Sequence, residues 1–390
     1  MAMRRRTRMT RALALVLCAA LAGGCDGSAV RAPAARRTLR PLAIESVGVE
    51  PKTLRLSAGS PNVAIRYTLT QPATVHVDLV DEDGRLAQRL SPGRQDAGMQ
   101  SVAWSGAAFQ GAPAPSGVYR YVIDATGDDG AHVVHDPSPQ TGGEELIARD
   151  FAFDKTTKRL EWVLPKAGYA RLRAGLEGFP HLRTLMDWTP TEGGRHQLDW
   201  DGLDASGLIK LEEHPKLSIR LTAFALPDNT VIVEGSPTAA AQTDQPPIYP
   251  PMTKGPNAYL HARHRRQDCG EAGLRVDFPE GLPQNSEGRP ILSGQVPVRV
   301  TIDPAQAARI VNRRFEVVIY EDLTVLFEEE ESANPFNFLW DTSKLPPGEH
   351  LLTINLLSYD DHYGVATVPV TVTAAPAEPP GAFPAPPEQP

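Results

Sequence analysis

Ser101-Val102-Ala103-Trp104-Ser105-Gly106, then a turn at Pro115-Ser116-Gly117, then Val118-Tyr119-Arg120-Tyr121-Val122-Ile123, is the stretch whose reading decides the fold. Apolar and polar residues alternate on either side of a Gly/Pro turn, as in strands that bury one face and wet the other. The phrase returns twice. Gln197-Leu198-Asp199-Trp200-Asp201-Gly202 leads through Ala205-Ser206-Gly207 to Leu217-Ser218-Ile219-Arg220-Leu221. Phe338-Leu339-Trp340-Asp341-Thr342 leads through Pro346-Pro347-Gly348 to His350-Leu351-Leu352-Thr353-Ile354. The three Trp lie 96 and 140 residues apart. Those intervals are domain-sized, so the repeat is one of tandem domains and not of a solenoid.

Around the first phrase, Val63–Leu69 and Val75–Leu79 alternate, with turns at Gln71-Pro72-Ala73 and Asp81-Glu82-Asp83-Gly84. About seven strands fit within fewer than 100 residues, which suits an Ig-like sandwich. The second module repeats the order with Phe151 and Phe153, then Leu160–Leu164, Ala170–Ala174, the Trp200 strand, Leu217–Leu221 and a closing Val231-Ile232-Val233. The third runs through Val296–Ile302, Phe315–Ile319, the Trp340 phrase and Val365–Val372. Pro304–Ile310 is the one short helical candidate. The chain is therefore predicted to be all-β: three tandem Ig-like β-sandwich domains joined by Pro-rich linkers. The expected boundaries are 44–140, 141–235 and 291–373. A Pro-rich linker and irregular insertion occupies 236–290, and a polyproline tail occupies 374–390, with seven prolines from Ala374 onward.

The N-terminus reads as an export signal. Arg4, Arg5, Arg6, Arg8 and Arg11 precede the short apolar run Ala12–Ala22, which is too short to span a bilayer as a helix. The run ends in Leu21-Ala22-Gly23-Gly24-Cys25, which resembles the lipobox of bacterial lipoproteins. That resemblance implies a signal over residues 1–24, a lipid on Cys25 and a tether over residues 25–43. Ala22 stands where Leu is most usual, and a plain secretory signal that leaves Cys25 as a free thiol is the alternative. The implied address is the bacterial cell envelope, lipid-anchored to the inner or outer membrane. Loss of residues 1–24 removes five Arg and takes the net charge from −8 to −13. So acidic an exported chain is a poor match for nucleic acid. Of three cysteines, Cys18 lies in the signal and Cys25 would carry the lipid, so the lipidated form leaves Cys269 with no partner for an intrachain disulfide.

The order of the first module resembles the Ig-like domain of the flagellar hook-capping protein. The residues that carry it are Ile65–Leu69, Ala73–Val77, Asp83-Gly84, Ala97-Gly98, Trp104-Ser105-Gly106 and Ser116–Tyr119. The second module is similar more loosely, through Gly193–His196 and Trp200-Asp201-Gly202, and the third keeps Trp340-Asp341 and Gly348–His350. The resemblance covers about half of the chain and implies fold far more than function. No segment resembles the hook-capping portion. In such a fold Trp104, Trp200 and Trp340 plug the space between sheets, and Gly106 and Gly202 serve the turn that follows.

Two constellations invite chemistry. His261, His264 and Cys269, spaced His-x2-His-x4-Cys, offer three ligands for zinc, with His214 or His181 as a possible fourth; the plain alternative is a basic surface loop with a semi-buried thiol. Asp199–Gly207 offers several carboxylates toward calcium, but Leu203 falls where an EF-hand loop needs an oxygen and Lys210 where it needs a Glu. A solvated hairpin turn accounts for it. Glu328–Glu331 reads as a solvated edge that discourages self-pairing. Serine-hydrolase, zincin, phosphate-loop and dinucleotide signatures are absent. The expectation is a non-enzymatic, membrane-anchored envelope scaffold that binds another envelope or extracellular protein. The rival is a metal- or ligand-binding protein that uses the insertion before the third domain.

Overall fold

A computed structural model of the 390-residue chain describes residues 40–56, 62–178, 180–235, 246–252, 271–310, 314–358 and 362–374. The described chain is almost all strand, arranged as sandwiches built in tandem.

The first module comprises β1 (Ile44–Glu50), β2 (Thr53–Arg55), β3 (Val63–Leu69), β4 (Ala73–Val80), β5 (Leu86–Gln95), β6 (Gly98–Trp104), β7 (Gly117–Gly127) and β8 (His132–His135). One sheet is β1-β3-β6; the other contains β7-β4-β5, with β8 on the far side of β7. Alternation explains the packing. In β3, Val63, Ile65, Tyr67 and Leu69 are buried while Arg66 is exposed, and Val75, Val77 and Leu79 of β4 meet them from the opposite sheet.

The second module comprises β9 (Arg149–Asp154), β10 (Arg159–Leu164), β11 (Gly168–Leu176), β12 (His181–Thr191), β13 (Gly194–Asp199) and β14 (Leu217–Ala225), in sheets β13-β10-β9 and β12-β11-β14. The closing strand Val231–Val233, expected in this module, is not part of it. Those residues form β15 (Thr230–Glu234), which lies in the first module's sheet, antiparallel to β7 and parallel to β2. The edge of β14 is already occupied: Ala225 N–H donates to the carbonyl of Glu144 (2.9 Å), and Leu146 N–H to that of Ala223 (2.8 Å).

The last strand position of the first module is thus shared. β8 pairs with Ile123–Thr126 of β7, and β15 pairs with Gly117–Arg120, in the same direction along the same side. The chain leaves this edge after His135, builds the second module and returns at Thr230 to finish it. The two faces of β15 serve two cores. Val231 and Val233 fill the first module's interior, while Ile232 joins Val118, Tyr169, Trp188 and Leu226 between the modules. Each buried aliphatic side chain of this kind stabilises by roughly 1.5–3 kcal/mol, so the two modules are tied by packing as well as by the backbone.

The third module comprises β16 (Leu274–Asp277), β17 (Ile291–Leu292), β18 (Gln295–Ile302), α1 (Pro304–Ile310), β19 (Phe315–Glu321), β20 (Thr324–Glu329), β21 (Phe336–Asp341), β22 (Gly348–Ser358) and β23 (Tyr363–Val372). Its sheets are β16-β18-β21 and β17-β23-β22-β19-β20. β16 comes from the segment expected to be an irregular insertion, so this module begins well before residue 291. Arg275 and Asp277 lie on its wet face and obscure the short alternation in the sequence. The Pro-rich linker is also corrected in part. Ile248 and Tyr249 N–H both donate to the carbonyl of Gly84 (3.0 Å each), and Met252 N–H to that of Glu82 (3.1 Å), so Pro246–Met252 is docked on the first module. Among the described residues no helix is long and apolar enough to cross a membrane.

Candidate functional site

Cys25, His261, His264 and Cys269 lie outside the described residues. Among the described residues no group of three or more His, Cys, Asp or Glu is placed to hold a metal ion. In the acidic loop after β13 the carboxylates already have partners. Asp199 accepts from Arg159 Nε (2.9 Å) and Asp201 from Arg183 (2.8 Å) and Leu203 N–H (3.0 Å). Asp204, buried, accepts from the main-chain N–H groups of Ser206, Leu208 and Ile209 and from the Ser206 hydroxyl. Its oxygens hold a turn, the role short polar side chains play in loops. Neither His181 nor His214 is set out toward a ligand. His214 Nδ1 accepts from Lys216 N–H (3.1 Å), and His181 is buried between modules.

The three Trp phrases are core. Trp104, Trp200 and Trp340 are buried. In the first two copies the indole N–H donates to the carbonyl three residues on, Trp104 to Ala107 (2.8 Å) and Trp200 to Leu203 (2.9 Å). Gly106 (φ +78°) and Gly202 (φ +84°) make this reach possible, because the chain must bend back through the left-handed region. The third copy has Thr342 instead, which opens a 3-10 turn, and Trp340 donates to Glu321 Oε2 (2.8 Å). Its weaker sequence match has a structural basis: the same buried indole is satisfied from a strand of the opposite sheet.

Polar chemistry inside the molecule is concentrated at the two joints between modules. At the first, Glu82 Oε1 accepts from Val118 N–H (3.1 Å) and from the Tyr169 hydroxyl. Arg120, buried on the outer face of β7, donates to Ser138 Oγ (2.9 Å) and to the Pro250 carbonyl and lies under the Tyr249 ring at 5.7 Å. Burial pulls its pKa down, and the charges of Asp136, Tyr249 and Asp81 oppose that shift. Tyr249 in turn donates to Asp78 (2.7 Å), whose carboxylate also receives both arms of Arg89 at 2.7 and 2.6 Å. A stretch read as linker is therefore bound by a buried cation and a buried carboxylate.

At the second joint, Asn355 of β22 exchanges two hydrogen bonds with the backbone of His181, at 2.8 and 2.7 Å. Tyr363 of β23 is enclosed by second-module side chains: the Arg171 guanidinium at 4.9 Å, that of Arg173 at 3.8 Å and the His181 ring at 5.7 Å. Arg171, itself buried, also lies over Trp188 at 4.2 Å. Cation–π contacts gain strength when desolvated. Burial depresses the pKa of His181, partly offset by Glu271 at 3.7 Å. A continuous line thus runs from Val118 and Ile232 of the first module, through Trp188 and Arg171 of the second, to Tyr363 of the third.

These joint residues escape sequence reading, although signals exist. Arg171 and Arg173 occupy one face of an otherwise apolar strand, and Asn355 interrupts the run Ile354-Asn355-Leu356. Alternation marks them as wet-face residues because it cannot say that another module covers that face.

The described surface is apolar at one place in particular. Val325, Leu326 and Phe327, consecutive on the end strand β20, are all exposed, as is Leu339 on β21.

Comparison with known proteins gives one family match, over the first module. Residues 52–129 match the FlgD Ig-like domain family, a span from just before β2 to the end of β7 that stops before the shared edge. No curated protein matches the chain. Among solved structures, fibronectin(III)-like modules of Clostridium thermocellum CbhA are 10% identical and align over 87% of this chain and 100% of theirs, with a TM-score of 0.20. A tetra-tandem repeat from the extending region of a large adhesion protein is 13% identical over 86% of this chain and 74% of its own, with a TM-score of 0.19. A bacterial ice-binding adhesin structure is 10% identical over 86% and 99%, with a TM-score of 0.18.

Proposed function

We propose that this chain is a non-enzymatic envelope scaffold: a lipoprotein held to a membrane through Cys25 that presents its sandwiches to another envelope or extracellular protein. The observation that carries the reading is the use made of buried polar groups. Arg120, Arg171, His181 and Asn355 are all buried, and each bridges one module to another or to a docked segment. Buried charge and amide groups are costly unless partnered. Spending them at joints favours fixed spacing between modules over independent motion, which suits a protein that holds partners at set positions.

The test is cross-linking in intact cells of the source bacterium, followed by affinity purification of the full chain, beside a Cys25→Ala form. The expected result is a defined set of cross-linked envelope proteins and release of the Cys25→Ala form from the membrane fraction. A chain that cross-links to no protein would sink the scaffold reading. Membrane retention of the Cys25→Ala form would sink the lipid anchor.

A further inference from the structure

The three modules treat an end strand of one sheet differently. In the first, the end strand β5 carries Arg89, paired with Asp78, and Arg94, paired with Asp128, together with Pro92 and Gly93. In the second, β12 is covered: His181 and Trp188 are buried by the neighbouring modules. Charge, proline and covering are the usual ways of blunting a free strand edge. In the third, β20 ends its sheet among the described residues; it bulges at Leu326, between the pairs Ile319–Phe327 and Tyr320–Val325, and exposes Val325 at 56%, Leu326 at 42% and Phe327 at 41%.

Beside it, β21 ends the other sheet on the same side. Phe327 stacks on Phe336 at 6.2 Å, and Phe336 on Phe338 at 6.0 Å, so an aromatic ladder lies between the two edges. Acidic residues frame the strand: Glu321 and Asp322 precede it, and Glu328 and Glu329 close it, with Glu330 and Glu331 just beyond. Arg314 pairs with Glu331. The Glu316 pKa is nonetheless raised, by burial and by Glu328 and Glu330, as expected where negative charge outweighs positive.

We propose that β20 is a docking edge that takes up an extended segment of another protein as an added strand, with apolar side chains at alternate positions and Lys or Arg between them. This rests on the scaffold reading and names the chemistry of its partner. The outward backbone groups of an end strand supply the pairing, and the side chains supply selectivity. Val325 and the Phe327 ladder give apolar contact; Glu321, Asp322 and Glu331 are already bonded to Trp340, His350 and Arg314, so it is Glu328, Glu329 and Glu330 that call for cations. The same charges disfavour a second copy. Antiparallel self-pairing about Leu326 would set Glu330 opposite Asp322 and Glu331 opposite Glu321, and like charges directly opposite are destabilising.

The test uses the full chain in detergent and three labelled octapeptides read by fluorescence anisotropy: alternating Val and Lys, alternating Gly and Lys, and alternating Val and Glu. The Val–Lys peptide is expected to bind, to weaken with added salt, and to lose about tenfold or more in affinity in Val325→Lys. The Gly–Lys and Val–Glu peptides are expected to bind at least about tenfold more weakly than Val–Lys. Val325 is exposed, so the substitution should leave the thermal midpoint unchanged. A second variant, Glu328→Lys/Glu330→Lys, should lose affinity without touching the apolar strip. No binding of the Val–Lys peptide, equal binding of Gly–Lys, or undiminished binding in Val325→Lys overturns the docking edge. Cellular cross-links that persist in Val325→Lys would then leave the scaffold standing without it.

Discussion

Asn229 and Tyr121 complete a strand pairing at the gap between β8 and β15 along β7. The Tyr121 N–H donates to the Asn229 carbonyl (2.9 Å), and the Asn229 side-chain amide donates back to the Tyr121 carbonyl (2.8 Å). The amide therefore stands where a main-chain N–H would stand in an unbroken strand. Its second hydrogen reaches Asp136 (3.0 Å), at the point where the chain leaves the edge. One buried side chain thus joins the departure of the second module to its return.

Asn229→Ala is expected to destabilise by about 1–3 kcal/mol, because it leaves a buried carbonyl without its donor. Asn229→Asp should cost more despite its shape, since it sets a carboxylate against the Tyr121 carbonyl and Asp136. Denaturant unfolding followed by Trp fluorescence measures both, and an Asp variant as stable as wild type would contradict the pairing.

The two motif glycines should not be equally sensitive. A Cβ on Gly106 would lie 2.5 Å from Leu56 Cδ2 and 2.7 Å from Leu54 Cδ2, inside the core. On Gly202 it would meet the end of the Glu212 side chain at 2.6 Å, a group that can swing away at the expense of its contact with Lys158. Both pay for positive φ, about 1–2 kcal/mol. Gly106→Ala is expected to lower the thermal midpoint more than Gly202→Ala, and the reverse order would refute the packing argument.

Two histidines should respond to pH with opposite sign. The His181 pKa is held below 6.5 by burial, so the unfolded chain takes up a proton that the folded joint resists, and stability falls as pH drops through 6.5. For His350, burial opposes the charge, but hydrogen bonds to Asp322 (2.6 Å) and the Pro346 carbonyl outweigh it and raise the pKa above 6.5. Its contribution is complete below 6.5 and is lost as pH rises through the raised value. Thermal unfolding at pH 5.5 and 7.5 separates them. His181→Gln should reduce the loss on acidification, and His350→Gln should be most damaging at the lower pH.

Much of the architecture was legible in the chain. The Trp104 and Trp200 phrases announce their turns, because only glycine bends back so tightly beside a buried indole. What could not be read was partnership between modules. Val231-Ile232-Val233 is a strand by any reading, yet its alternation fits either module, and it went to the first because the edge of β14 was already filled by Glu144 and Leu146. Arg171 and Asn355 look like surface residues until another module covers them.

By itself, then, the sequence determined most of the strands, β16 excepted, which faces are apolar and where the motif turns fall, all consequences of side-chain period and backbone sterics. Tertiary structure alone decided which sheet each strand joined, that polar side chains would bind the modules together, and that β20 would be left as an apolar edge. Those outcomes depend on residues far apart in the chain competing for the same unpaired backbone and the same buried surface, a competition that no local pattern records.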